Sequence, residues 1–165
     1  MKKLSEYFDR KNPVSLQDEV IFNFIYYFGQ RGRESIRNLT KENVIFNDSA
    51  DVPYVELHMA VSSKNVKASL SRKTYSNAKQ CKMYELKDNS QKCPVTALRI
   101  YFQKLSKTSC LFPRPLQSYS DEVWYSDKAV RGKDYLGNLM KSLTQRLNLS
   151  KTILTTAFDQ RWYLT

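Results

Sequence analysis

The sequence predicts a mainly α fold with a small antiparallel β-sheet, an α+β arrangement in which helix outweighs strand. Three observations carry this. Apolar residues recur at helical spacing near residues 16–28, 95–105 and 136–147. Short apolar runs, Val44-Ile45-Phe46 and residues 54–61, flank a turn-rich connection at residues 47–53. The chain has 165 residues, 41% of them hydrophobic, which is the size and content of one domain with a real core.

The elements follow in order. Residues 1–14 are polar and end in the turn signal Asn12-Pro13. Ser15 offers an N-cap, with Asp18 three residues on as a capping-box partner. Leu16, Val20, Ile21, Phe24, Ile25 and Phe28 then form a helical stripe, and Phe22, Tyr26 and Tyr27 fill much of the remainder. Such a helix is buried on most sides. Gly29 is placed to end it in a left-handed cap. Ile36 and Leu39 can anchor a short second helix. Residues 81–86 read as a third strand, which gives a sheet of two or three strands. Cys93-Pro94 opens a further helix with proline in its first turn, and Val95, Leu98, Tyr101, Phe102 and Leu105 form its apolar face. Residues 111–116 read as a rigid proline-bearing loop, and Val123-Trp124-Tyr125 as a short apolar run before a turn at Gly132. The last helix spans residues 134–147, with Leu136, Leu139, Met140, Leu143 and Leu147 as its core stripe. Residues 152–165 show no clear period.

Charge and composition narrow the function. Twenty-seven Lys and Arg against 16 Asp and Glu give +11, a field that draws polyanions, nucleic acid before anionic membrane. The longest apolar stretch, residues 20–28, is far short of the ~20 residues of a membrane span. The N-terminus lacks an apolar signal core. Three widely spaced cysteines, Cys81, Cys93 and Cys110, fit reduced thiols. The expected location is nuclear or cytoplasmic rather than secreted. The sole histidine, His58, reads as a half-buried strand residue. No His/Cys spacing suits zinc, no glycine-rich phosphate loop occurs, and no nucleophile elbow pairs with His58. No metal and no cofactor are implied.

The cations cluster in two places. Arg31, Arg33 and Arg37 follow the first helix within seven residues. Residues 64–87 hold Lys64, Lys67, Arg72, Lys73, Lys79, Lys82 and Lys87 with Glu85 as the only acid, and Tyr75 and Tyr84 lie among them. A basic stretch between strands suits a DNA backbone or groove. A flexible solvated loop is the other reading of the same pattern.

Several segments taken together resemble the tyrosine recombinases of phage-integrase type, and more narrowly their Crypton-derived branch, the domain also found at the C-termini of zinc-finger MYM-type proteins. They are residues 26–34 (YYFGQRGRE), Cys93-Pro94-Val95, residues 111–115 (LFPRP), Val123-Trp124-Tyr125, and residues 136–141 (LGNLMK) running on to Leu149-Ser150-Lys151. The likeness covers residues 16–151. It implies a recombinase-like catalytic-domain fold at 15–151, a polar segment at 1–14 and a divergent tail at 152–165. It leaves no room for a separate N-terminal DNA-clamping domain.

The resemblance also implies roles. Members of the family attack a DNA phosphodiester with a tyrosine while arginines stabilise the phosphorane. Arg31, three residues before Glu34, matches the phosphate-binding arginine of the first box, with Arg33 as the fallback. Lys64 matches the lysine of the strand hairpin, with Lys67 second. Arg72, Lys73 and Lys79 join these as DNA-binding residues. The family's H-x-x-R box has no counterpart, since no histidine follows His58 and Phe158 stands three before Arg161. Tyr163 stands too early to match the nucleophile. The expectation is a transposon-derived pseudoenzyme that binds double-stranded DNA, without cleaving it by itself, and is domesticated in transcription or chromatin regulation. Two alternatives stand beside it. One is a fragment of an active recombinase completed by sequence outside this chain. The other is a protein-interaction module using the face that the missing helices would uncover. Membrane binding is not expected.

Overall fold

A computed structural model of the chain describes residues 7–30, 33, 35–58, 81–86 and 91–148. Three α-helices and two antiparallel sheets are present among them, so the α+β class holds. Helix α1 is Pro13–Phe28. It starts two residues before Ser15, because Asn12 already supplies the cap. The Asn12 side-chain oxygen accepts from the backbone N–H of Val14 and Ser15, each at 3.0 Å, and Pro13 at the first position has no N–H to satisfy. Ser15 Oγ instead accepts from Asp9 N–H at 2.8 Å. Gly29 closes the helix with φ 62°, as its position predicts.

The second helical segment shrinks to a single 3₁₀ turn, Ile36–Asn38, with Ile36 and Leu39 buried. A second such turn, Lys41–Asn43, leads into strand β1, Val44–Asn47. Strands β2, Tyr54–Leu57, and β3, Lys82–Tyr84, complete a sheet of order β1-β2-β3. β2 is shorter than the run of residues 54–61, and residues 59–61 lie outside the described part. Helix α2, Pro94–Lys104, begins as predicted, and the Cys93 thiol caps it by accepting from Thr96 N–H.

Residues 111–116 are not merely a loop. Strand β4, Pro113–Pro115, pairs antiparallel with β5, Tyr125–Val130, with an irregular register between Pro113 and Pro115. Prolines donate nothing to a ladder but are tolerated on an edge strand. The last helix, α3, is Lys133–Arg146, and just beyond it Asn148 takes φ 48°, a left-handed conformation that asparagine tolerates.

α1 is the centre of the core. Leu16, Val20, Ile21 and Phe24 are almost fully buried, and Ile25 and Phe28 nearly so. α2 and α3 both pack on α1. The stripe of α3 buries Leu136, Leu139, Met140 and Leu143. Strand alternation sends Val55 and Met83 inward and sets Phe46 edge-on to Phe102 of α2, centroids 5.4 Å apart. Several polar atoms drawn into this core are bonded, although Gln17 Oε1 and Trp124 Nε1 are buried without a hydrogen-bond partner. Gln17 Nε2 donates to Tyr101 Oη at 2.9 Å and to the Pro113 carbonyl at 2.7 Å. Tyr101 Oη donates to the Leu111 carbonyl at 2.8 Å, and Tyr125 Oη to the Pro13 carbonyl at 2.7 Å. These bonds fasten the two-stranded sheet to α1 and α2.

Candidate nucleic-acid interface

β2 and β3 are antiparallel partners, with Tyr54 opposite Tyr84, Val55 opposite Met83 and Glu56 opposite Lys82. The chain therefore leaves this pair at His58 and returns to it at Cys81. Residues 59–80 contain Lys64, Lys67, Arg72, Lys73 and Lys79 and no carboxylate. These five residues lie outside the described part, as does Arg31. More than half of the net charge of +11 is carried by residues outside the described part.

Many described cations are engaged in the fold. Arg10 forms a two-bond ion pair with Glu19, Nε to Oε2 at 2.9 Å and Nη2 to Oε1 at 2.6 Å, and also donates to the Cys93 carbonyl at 3.1 Å. Arg99 pairs with Asp48 at 2.5 Å, which holds the Asp48 carboxyl below its usual range. Lys41 donates to the Ser106 carbonyl at 2.6 Å. Lys104 donates to the Asp121 carbonyl and lies 5.0 Å from the Trp124 ring centre.

Arg33, the fallback arginine, is described and exposed. Its side chain crosses α3 at Gly137, where an added Cβ would come within 2.4 Å of Nε and 2.6 Å of Cγ. Glycine leaves the room that this arginine occupies. Two segments that carry the recombinase resemblance, 26–34 and 136–141, thus meet in space.

His58 departs from its half-buried reading. It is exposed beyond the end of β2, held through its backbone, whose N–H donates to the Asn43 carbonyl at 2.8 Å and whose carbonyl accepts from Asn43 Nδ2 at 2.9 Å. Cys93 is buried and Cys110 half-buried. Among the described residues no group of His, Cys, Asp and Glu could hold a metal ion, and no helix is long and apolar enough to cross a membrane.

A polar cluster at the α1–α3 contact is not visible in the sequence. Asp18 is not a capping partner. It is almost fully buried, accepting from Tyr135 Oη at 2.5 Å with Arg146 Nη1 4.0 Å away. Arg131 lies 3.6 Å from the centre of the Tyr135 ring, and Arg146 donates to Tyr7 Oη at 3.0 Å. Burial pushes the Asp18 carboxyl up, outweighing the Tyr135 bond and the two arginines. Burial and then the Asp18 contact push the Tyr135 phenol up to about 12. The sign follows from linkage. A carboxyl with a raised folded value contributes stability below its unfolded value, about 3.9, and loses that contribution as pH rises through the folded value. Asp18→Asn keeps an acceptor for Tyr135. In urea melts it is expected to remove a fall in stability with rising pH just above the ordinary carboxylate range. An unchanged pH profile would mean that Asp18 is not a burden on the fold.

No family model, curated protein or solved structure matches the chain.

Proposed function

We propose that this chain is a non-catalytic DNA-binding remnant of a Crypton-type tyrosine recombinase. The observation that supports it best is the basic segment 59–80 joining two paired strands of one sheet. Its five cations have no carboxylate among them, an excess of positive charge in the sequence that joins the two strands. Duplex DNA rewards such an excess by releasing counterions. Arg31 is the phosphate-binding arginine of this reading, with Arg33 as the fallback, and Lys64, Lys67, Arg72, Lys73 and Lys79 are its DNA contacts from the segment that joins β2 and β3. Arg33 is supported further by its passage over Gly137. The chain by itself performs no strand transfer in this reading, because covalent attack needs an activated nucleophile and the sequence offers no H-x-x-R box to assist one.

The test is neutralisation. Replacing Lys64, Arg72 and Lys73 together by Gln is expected to weaken duplex binding at low salt. It should also reduce the slope of log K against log salt by about three. Anisotropy of a labelled duplex measures both. An unchanged affinity and slope would remove this segment from the interface.

A further inference from the structure

The outward face of the three-stranded sheet has an unusual make-up. Its alternation sends Phe46, Val55 and Met83 to the core side and Ile45, Tyr54, Glu56, Lys82 and Tyr84 to the other. Tyr54 and Tyr84 are directly opposite each other, ring centres 5.6 Å apart and planes inclined at 55°. Lys82 Nζ sits 3.9 Å from the centre of the Tyr54 ring. Tyr84 is 49% exposed and Ile45 37%.

We infer that this face, centred on Tyr54, Lys82 and Tyr84, is a stacking platform for unpaired bases of a single-stranded nucleic acid. Three features select that occupant. The exposed Tyr84 ring, inclined to the Tyr54 ring that Lys82 covers, offers apolar area to a base and a hydroxyl edge to its sugar, and every base has a face that can stack. The ammonium of Lys82 lies over the Tyr54 ring, on the same face of the sheet as Tyr84, where the phosphate next to a base stacked on Tyr84 can reach it, and Glu56 lies opposite Lys82 in the register. The sequence that joins β2 to β3 carries five cations and no carboxylate, so a polyanion complements the charge of the chain better than an apolar protein surface does. The bases of a duplex are already stacked on one another, so the rings discriminate for unpaired strands where lysines alone do not.

The inference rests on the nucleic-acid reading above but concerns a different surface, and one experiment separates them. The full chain is titrated into a labelled 20-nucleotide oligothymidine and, separately, a labelled duplex of mixed sequence. Tyr84→Ala is expected to weaken oligothymidine binding about tenfold, the scale of one lost base stack. It should change duplex binding less than about twofold, and Tyr84→Phe should retain both affinities. Circular dichroism checks that the half-exposed substitution leaves the fold intact. Oligothymidine binding unchanged in both Tyr84→Ala and Tyr54→Ala, with duplex binding intact, overturns the platform and leaves the proposed function standing. Equal losses on both probes also overturn it. No binding of either probe by the unaltered chain at low salt defeats both readings.

Discussion

Arg10→Ala is expected to lower the free energy of unfolding by about 3 kcal/mol, the scale for breaking a buried ion pair from one side. Arg10 and Glu19 have side chains only 15% and 10% exposed. Truncating the arginine leaves the Glu19 carboxylate on a buried stretch of α1 without its two-bond partner. It also removes one of the two hydrogen bonds that the Cys93 carbonyl accepts at the start of α2, leaving that from Ala97 N–H. The loss therefore loosens the N-terminal approach to α1 and its junction with α2 together. Urea denaturation followed by circular dichroism measures it. A double change, Arg10→Met with Glu19→Met, should recover most of the stability, because two apolar side chains of similar volume carry no stranded charge. A single Arg10→Ala variant as stable as the parent would show that the pair is ornamental.

Tyr101→Ala is expected to cost about 3–5 kcal/mol, the range for emptying an aromatic core position. Tyr101 is fully buried. Its ring meets Tyr125 at 4.8 Å and Phe112 at 6.0 Å between centres, and its hydroxyl both accepts from Gln17 and donates to Leu111. Tyr101→Phe keeps the ring and strands the Leu111 carbonyl, a loss of about 1–3 kcal/mol. The difference between the two variants separates packing from hydrogen bonding. Burial first, with Tyr125 adding to it, raises the Tyr101 phenol well above its ordinary value, so the hydroxyl keeps its proton and remains a donor.

Local signals in the sequence were enough for the helices. α1, α2 and α3 are written in apolar spacing, in Gly29 and in Cys93-Pro94, all read within a few residues. The start of α1 was less legible, because Asn12 and Ser15 are both good caps. Only the geometry shows that Asn12 takes the role while Ser15 binds Asp9. The β4–β5 pair was hidden by Pro113 and Pro115, which argue against a strand when neighbours are unknown. The Asp18 cluster was illegible in principle, since Asp18 and Tyr135 are 117 positions apart and no local pattern connects them. Of the candidate interface, the charge of residues 59–80 was plain in the sequence. That its two ends belong to one antiparallel pair follows from the register of β2 and β3. The paired tyrosines on the outer face likewise needed that register.

The proposed function requires the chain to hold duplex DNA through a phosphate-recognising surface. The most direct measurement is the anisotropy of a labelled duplex titrated with the unaltered chain at several salt concentrations. Tight binding at low salt is expected, with a log–log slope of about −4 to −5, the value for roughly five neutralised phosphates. No binding at low salt by a chain that circular dichroism shows to be folded would contradict it.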